Sequence, residues 1–317
     1  MLGQRCGFLQ PMPSIRPNIK LAVSPRQRHL IFGSTGSGKT LDMLSIADWF
    51  REQGTQHGDY FISPQGGEDN LLRLYPKLDL VRLPVASWPD VRQWLRGYAS
   101  LSKFDREDPR VGLTPANADP TWPGLASIMT PGDRLYVDMG NDIEGLLRNY
   151  YCVKQHGQTY AEIVAYHQHK DREGKLLGIP SGFDDIDPAA YPKLNVLSEE
   201  AFGWVTARSG LNLFVTTAES EIQYKADGVT PRYKPDKSFL PIGATPTANR
   251  YLQYDVDTFV HKTATGGSYF MQTVKKVRGV VGSDKPSKQI KVTLEGGGYW
   301  FAYCDLTGLD PYSEPGV

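Results

Sequence analysis

Eight consecutive residues early in the chain match a phosphate-binding loop at every fixed position. The segment Gly33-Ser34-Thr35-Gly36-Ser37-Gly38-Lys39-Thr40 fits the pattern G-x-x-x-x-G-K-[ST]. Glycines let such a backbone curl, so that successive N–H groups point at the phosphates of a nucleotide. The lysine of the pattern reaches the β- and γ-phosphates, and the hydroxyl after it ligates Mg²⁺. We therefore expect Lys39 to bind phosphate and Thr40 to bind the metal ion.

The residues on either side of the loop predict a strand before it and a helix after it. His29-Leu30-Ile31-Phe32 is a short apolar run that ends at the first glycine. Downstream, four apolar residues recur at i, i+3, i+4 and i+7, the spacing of one buried helical face: Met43, Ile46, Ala47 and Phe50. This strand–loop–helix order is the context that the motif requires, and it predicts a nucleotide-binding protein. The alternative is a Gly/Ser turn that happens to contain a lysine.

A second metal ligand is predicted where a later apolar segment ends in an aspartate. Leu135-Tyr136-Val137 reads as a strand, and Asp138 follows it directly. In phosphate-loop folds an aspartate in this position holds Mg²⁺ directly or through a water molecule. The alternative is that Asp138 caps the following helix, a role for which Asp142 competes.

Composition limits the class of protein. The chain has 317 residues, enough for one large α/β domain or two modest ones. No run approaches the length of a transmembrane helix, and Met1–Ser14 lacks the apolar core of a secretory signal. The three cysteines are widely spaced and form no metal pattern, so we expect a cytoplasmic protein. Lys+Arg and Asp+Glu balance at 35 each, so any DNA binding must come from a local patch.

The chain divides into an α/β part and a β-rich part. Tyr60–Ser63, Leu80–Leu83 and Leu211–Glu219 read as strands that alternate with helices, which indicates a mostly parallel sheet. Between them we predict a proline-rich long loop over 103–133, a helical insertion over 143–195, and a helix capped by Ser198.

The later strands follow one another without intervening helices, which predicts an antiparallel extension. These strands are 257–262, 269–275, 289–294 and Tyr299–Tyr303, and glycine clusters between them look like hairpin turns. The predicted organisation is an N-terminal arm over 1–25, a nucleotide-binding domain over 26–282, and a C-terminal β-hairpin and tail over 283–317.

This arrangement resembles the RecA-like ATPase core and, more closely, the phage nucleotide-binding proteins of the Sak-type single-strand annealing and recombination ATPases. The segments that carry the resemblance are Gly33–Thr40, Leu135–Asp138, Phe214–Glu219, Tyr254–Val260 and Tyr269–Gly279. The resemblance implies a RecA-like P-loop NTPase fold, with ATP and Mg²⁺ as cofactors. It also implies self-association into a ring or filament, single-stranded DNA and phage recombination or replication proteins as partners, and a location in the host cytoplasm.

The resemblance also implies catalytic residues. Lys275-Lys276-Val277-Arg278-Gly279 looks like the family's Lys-x-Arg-x-Gly strand ending, which implies that Lys276 and Arg278 reach the γ-phosphate bound by a neighbouring subunit. The alternative is a basic sheet edge that discourages aggregation. The family's catalytic glutamate follows the second strand, where Glu68 comes a few residues late, and Glu219 is the other acidic candidate. The predicted catalytic residues are therefore Lys39, Glu68, Glu219, Lys276 and Arg278.

Three functions remain open on the sequence alone. The leading hypothesis is an ATPase that acts on single-stranded DNA in phage recombination or replication. The second is a viral DNA-packaging or translocating motor, which would use the same core on duplex DNA. The third is a non-catalytic, nucleotide-gated assembly module, favoured if neither glutamate proves catalytic.

Overall fold

A mostly parallel β-sheet forms the centre of the molecule. The structure is a computed structural model that describes residues 26–64, 66, 68–168, 190–208, 210–232, 235, 237–247, 256–276, 287–293, 297–313 and 315. The strands in these residues are β1 (Arg28–Gly33), β2 (Asp59–Ser63), β3 (Val81–Pro84), β4 (Arg134–Val137), β5 (Asn212–Glu221), β6 (Ala244–Pro246), β7 (Thr258–Thr265), β8 (Ser268–Lys276) and β9 (Ile290–Val292).

The strand order confirms an α/β class with an antiparallel extension. The order is β3-β2-β4-β5-β1-β7-β8-β9, and β6 pairs with β5 from outside this path. In this order, every pair of adjacent strands from β3 through β2, β4, β5 and β1 to β7 is parallel. The pairs β7–β8, β8–β9 and β5–β6 are antiparallel. The predicted neighbourhood of the Asp138 strand, β4, and the long apolar strand, β5, is confirmed.

Helices cover both faces of this sheet. The described helices are α1 (Lys39–Glu52), α2 (Glu68–Leu71), α3 (Trp88–Arg96), α4 (Lys103–Glu107), α5 (Leu125–Ile128), α6 (Gly140–His156), α7 (Tyr160–Gln168), α8 (Ala190–Ala207) and α9 (Gly298–Thr307). Apolar side chains of α1 and α9 pack on one face, and those of α3, α6 and α8 pack on the other. Because both faces are covered, all six residues of β1 are buried.

The last predicted strand is wrong, because Tyr299–Tyr303 lies in helix α9. Its aromatic residues have high strand propensity, but burial against α1 and the sheet decides the conformation here. The helix begins after Gly297, whose φ of 73° suits glycine. The buried residues recur at i, i+1, i+4 and i+5, a helical spacing: Tyr299, Trp300, Tyr303 and Cys304.

Several boundaries in the prediction also differ from the structure. The 103–133 segment contains α4 and α5, and it buries four apolar side chains: Val111, Leu113, Leu125 and Met129. Helices α6 and α8 belong to the core that covers the sheet, rather than to an insertion. Ser198 lies inside α8 and does not cap it. The arm over 1–25 and the predicted boundary at 282 lie outside the described residues, and β9 pairs with β8 in the same sheet.

Candidate nucleotide-binding site

The phosphate loop joins the carboxyl end of β1 to the first residue of α1. Gly36 and Gly38 have φ angles of 80° and 82°, values that favour glycine. A Cβ atom at Gly33 would lie 2.1 Å from the carbonyl oxygen of Lys262, so this close approach of β7 requires a glycine. Gly38 is the N-cap of α1, and the positive end of that helix dipole therefore faces the loop. The predicted strand–loop–helix context of the motif is confirmed.

The side chain of Lys39 contacts the backbone at the start of the phosphate loop. Its Nζ atom donates to the carbonyl oxygens of Gly33 and Ser34, both at 2.9 Å. Burial lowers the pKa of Lys39, and the carboxylates of Asp138, Glu219 and Asp42 oppose that shift. The ammonium group thus lies beside the backbone of the loop, where it can contact a bound phosphate.

Thr40 and Asp138 meet at the carboxyl edge of the sheet. The Thr40 hydroxyl lies 3.1 Å from Oδ1 and 3.0 Å from Oδ2 of Asp138, although the two residues are 98 positions apart. Thr216, which follows the part of β5 that pairs with β4, donates to Oδ1 of Asp138 at 2.6 Å and accepts from the backbone N–H of Met139 at 2.8 Å. Burial raises the pKa of Asp138, and the bonds from Thr216 and Thr40 oppose that shift. Thr216 therefore fixes the orientation of the carboxylate that Thr40 contacts.

This pair of side chains fits a magnesium ion. Mg²⁺ prefers oxygen donors and is held in nucleotide sites by one or two carboxylates together with substrate phosphates and waters. Thr40 and Asp138 offer a hydroxyl and a carboxylate that already lie in contact. Within the described part of the chain, no group of three or more His, Cys, Asp or Glu side chains is arranged to hold a metal ion by itself. Phosphates and waters would therefore supply the remaining ligands.

Asp138 does not cap α6 in the structure. The N-cap position is Met139, which has a φ of 63° and whose own side chain makes no capping hydrogen bond. Asp142 lies in the first turn of α6, and Asn141 donates to its carboxylate. The Asp138 carboxylate accepts from the hydroxyls of Thr40 and Thr216 and does not act as a helix cap.

We expect Asp138→Asn to keep nucleotide binding measurable while lowering Mg²⁺-dependent hydrolysis about 10- to 100-fold, since a neutral amide is a weaker magnesium ligand. Asp142→Asn is the matched control, and it should leave the Mg²⁺ response unchanged. Titration of hydrolysis against Mg²⁺ measures both variants. An Asp138→Asn protein that loses thermal stability but keeps the parent Mg²⁺ response would support the capping role instead.

Glu68 lies beside this pair of ligands. It opens α2, just beyond the carboxyl end of β2, and is only 4% exposed. Its Oε1 accepts from Arg82 at 3.2 Å, whereas its buried Oε2 has no hydrogen-bond partner among the described residues. The charge of Glu68 adds to the effect of burial in raising the pKa of Asp138. The structure thus places Glu68 at the same edge of the sheet as Thr40 and Asp138.

Glu219 lies on the other side of the loop, at the carboxyl end of β5. Its neighbour Ala218 pairs with Gly33, so Glu219 extends one residue beyond the start of the loop. Its Oε2 lies 2.8 Å from Nε2 of His261 on β7. The structure therefore brings Lys39, Thr40, Asp138, Glu68 and Glu219 to one edge of the sheet.

A buried ion pair supports the base of the loop. Nζ of Lys262 lies 2.9 Å from Oδ1 and 2.8 Å from Oδ2 of Asp42, and both side chains are almost fully buried. Burial raises the pKa of Asp42, and Lys262 opposes that shift. The pair joins α1, which follows the loop, to β7, which pairs with the strand β1 that precedes it. Nothing in the sequence pattern links these two residues, which lie 220 positions apart.

Of the predicted basic finger, the structure describes only Lys276, which does not lie at this site within the same chain. Lys276 pairs with Thr258, the first residue of β7, whereas Gly33 pairs with Lys262, four residues further along that strand. Lys276 is therefore at the edge of the sheet opposite to the phosphate loop. Arg278 lies outside the described residues.

A cleft of about 470 Å³ opens at the phosphate loop. Its walls include Thr35, Lys39, Thr40, Leu71, Asp138 and Tyr269. Sequence reasoning missed Leu71 and Tyr269, which come from α2 and β8 and carry no motif. Thr216 is indicated by the sequence, since the polar end Thr216–Glu219 of the long apolar strand is expected to reach the γ-phosphate side of the site.

Comparison of the sequence with protein-family models and with curated proteins finds no match. Among the described residues, none of the helices has the length and apolar character needed to cross a bilayer.

Proposed function

We propose that the protein is a magnesium-dependent nucleoside triphosphatase of the RecA-like type, with ATP as its nucleotide. The observation that carries the proposal is the convergence of Lys39, Thr40 and Asp138 at the carboxyl end of a parallel sheet. Ligands of open α/β sheets bind at that edge, and a glycine-rich loop before a helix N-terminus binds phosphate. The mostly parallel sheet with its antiparallel extension is compatible with a RecA-like core.

The reaction would be in-line attack of water on the γ-phosphorus. The bond from that phosphorus to the β–γ bridging oxygen breaks, and the products are ADP and inorganic phosphate. Lys39 and the N–H groups of the loop would stabilise the charge that develops on the phosphate oxygens. Thr40 and Asp138 would hold Mg²⁺, whose positive charge stabilises the same oxygens.

Glu68 is the better candidate to accept a proton from the attacking water. Its buried Oε2 is without a partner among the described residues, so it can accept a new hydrogen bond without losing an existing one. Oε2 of Glu219, in contrast, is already in contact with His261. General-base catalysis of this kind contributes about 10²- to 10⁴-fold to a rate.

The role in phage recombination or replication, acting on single-stranded DNA, rests on the resemblance to Sak-type ATPases. Self-association rests on the same resemblance, and the position of Lys276 requires it if that residue acts on a phosphate, because Lys276 lies away from the phosphate loop of its own chain. The packaging motor and the nucleotide-gated module use the same nucleotide site and differ in their response to DNA.

One experiment separates these functions. ATP hydrolysis is measured without DNA, with single-stranded DNA and with duplex DNA, and the size of the protein is measured with and without ATP. Stimulation by single strands supports the recombination role, whereas stimulation by duplex supports a motor. ATP-dependent assembly without hydrolysis supports the nucleotide-gated module, and absence of ATP binding contradicts all three.

A further inference from the structure

Glu219 and Lys39 both lie near the start of the phosphate loop, since Glu219 follows Ala218, the strand partner of Gly33, and Lys39 donates to the Gly33 carbonyl oxygen. The charge of Glu219 opposes the effect of burial on the pKa of Lys39, so the two groups are within electrostatic reach. Lys39 nevertheless donates to the carbonyl oxygens of Gly33 and Ser34. A glutamate free to move would be drawn to this ammonium group and would compete with the phosphates for it.

His261 holds the Glu219 carboxylate in its position. The residue lies on β7, in register with Phe32 of β1, and its ring centroid is 4.9 Å from that of Phe32. Nε2 is 2.8 Å from Oε2 of Glu219, and Nδ1 is 3.4 Å from the side-chain nitrogen of Gln272. With the amide in this orientation, Gln272 donates to Nδ1. An Nδ1 atom that accepts this bond carries no proton, so Nε2 is the ring nitrogen that donates to Oε2 of Glu219.

We propose that His261 is a positioning residue of the nucleotide site, which holds Glu219 away from an ion pair with Lys39. The inference rests on the proposed function, because it assigns His261 a role in how that site accepts a triphosphate. Strand β7 fixes the ring through its pairing with β1, and β8 supplies Gln272, so the imidazole has little freedom to release the carboxylate. Lys39 then remains available to the β- and γ-phosphates.

Two substitutions at His261 differ in whether the new side chain can donate a hydrogen bond to Glu219. His261→Gln keeps an amide donor near the position of Nε2, whereas His261→Leu has a similar volume and no donor. We expect His261→Leu to lower the ratio of ATP affinity to ADP affinity about tenfold, since the released Glu219 competes most strongly with the outermost phosphate. His261→Gln should stay within about threefold of the parent, because its donor keeps the bond. Equilibrium binding of both nucleotides measures this ratio whether or not the protein hydrolyses ATP.

A second background tests whether the effect passes through Glu219. In Glu219→Gln protein the side chain carries no charge to compete for Lys39, so His261→Leu should no longer change the ATP-to-ADP affinity ratio. An equal change in both backgrounds would mean that His261 acts only through its packing on Phe32, and it would overturn the proposal. An unchanged ratio in His261→Leu, or equal losses in the Leu and Gln variants, would overturn it too.

A further variant covers the case in which His261→Leu does not fold. Gln272→Leu leaves the ring in place and removes the amide that fixes its tautomer, so the ratio should fall in the same direction, by about threefold. This effect should also vanish in Glu219→Gln, and its absence in the parent background would overturn the proposal. A parent protein that binds no nucleotide contradicts the proposed function, whereas one that binds ATP with an insensitive ratio contradicts only the role of His261.

Discussion

Glu68→Gln should lower the rate of ATP hydrolysis about 10²- to 10⁴-fold while leaving ATP affinity close to that of the parent. Glutamine has the shape of glutamate and can still accept the bond from Arg82, but it cannot take a proton from water. The loss should therefore fall on the chemical step alone. Single-turnover hydrolysis and equilibrium binding of ATP, measured on the same protein, separate the two effects.

Glu219→Gln is the matched control for this experiment. It makes the same chemical change at the carboxylate that contacts His261, on the other side of the loop. If Glu219→Gln loses more hydrolysis than Glu68→Gln, the water-activating role belongs to Glu219. Parent-like hydrolysis in both variants would exclude a carboxylate base at either position and would favour the non-catalytic module.

Arg278→Ala should lower the rate of ATP turnover by a factor on the order of 10³, while ATP binding to the isolated subunit persists. Strand β8 runs away from the phosphate loop and reaches Lys276 at the opposite edge of the sheet, so Lys276 can act on ATP only across a subunit boundary. The resemblance to Sak-type ATPases implies the same route for Arg278. Mixing Arg278→Ala with Lys39→Ala protein should restore part of the activity, because each variant supplies the half-site that the other lacks.

Lys103→Ala controls for the loss of a cation from the surface, since the Lys103 side chain is 83% exposed and lies far along the chain from both half-sites. It should retain turnover. Failure of the mixed variants to recover, together with a shallower salt dependence of single-stranded DNA binding in Arg278→Ala, would assign Arg278 to DNA contact. Each phosphate contact that is lost lowers that slope by about 0.7.

The phosphate loop and the Asp138 strand could be predicted because their chemistry constrains the local sequence. A loop that must curl around phosphate needs glycines at fixed positions, and Gly36 and Gly38 do have positive φ angles. Asp138 could be predicted because an apolar run ending in a carboxylate indicates the carboxyl end of a buried strand. Both signals lie within a few residues of the side chains that they predict.

Other features depend on contacts between distant parts of the chain. The strand propensity of Tyr299–Tyr303 favoured the wrong structure, because burial against α1 is a tertiary effect. The helix α8 begins before Ser198, so a good capping residue was mistaken for a helix start. Glu219 and His261 are 42 positions apart, and Lys262 and Asp42 are 220 apart. Only the strand order, with β5 and β7 on either side of β1, brings these pairs together.

The central claim, that Gly33–Thr40 binds a nucleoside triphosphate, is tested most directly by equilibrium binding of ATP in the presence of Mg²⁺. The three proteins to compare are the parent, Lys39→Ala and the exposed-lysine control Lys103→Ala. The parent and Lys103→Ala should bind equally, and Lys39→Ala should bind at least about tenfold more weakly, since a hydrogen bond from a charged group to phosphate is lost. Equal affinities in all three folded proteins, or no binding by the parent, would contradict the phosphate-loop assignment.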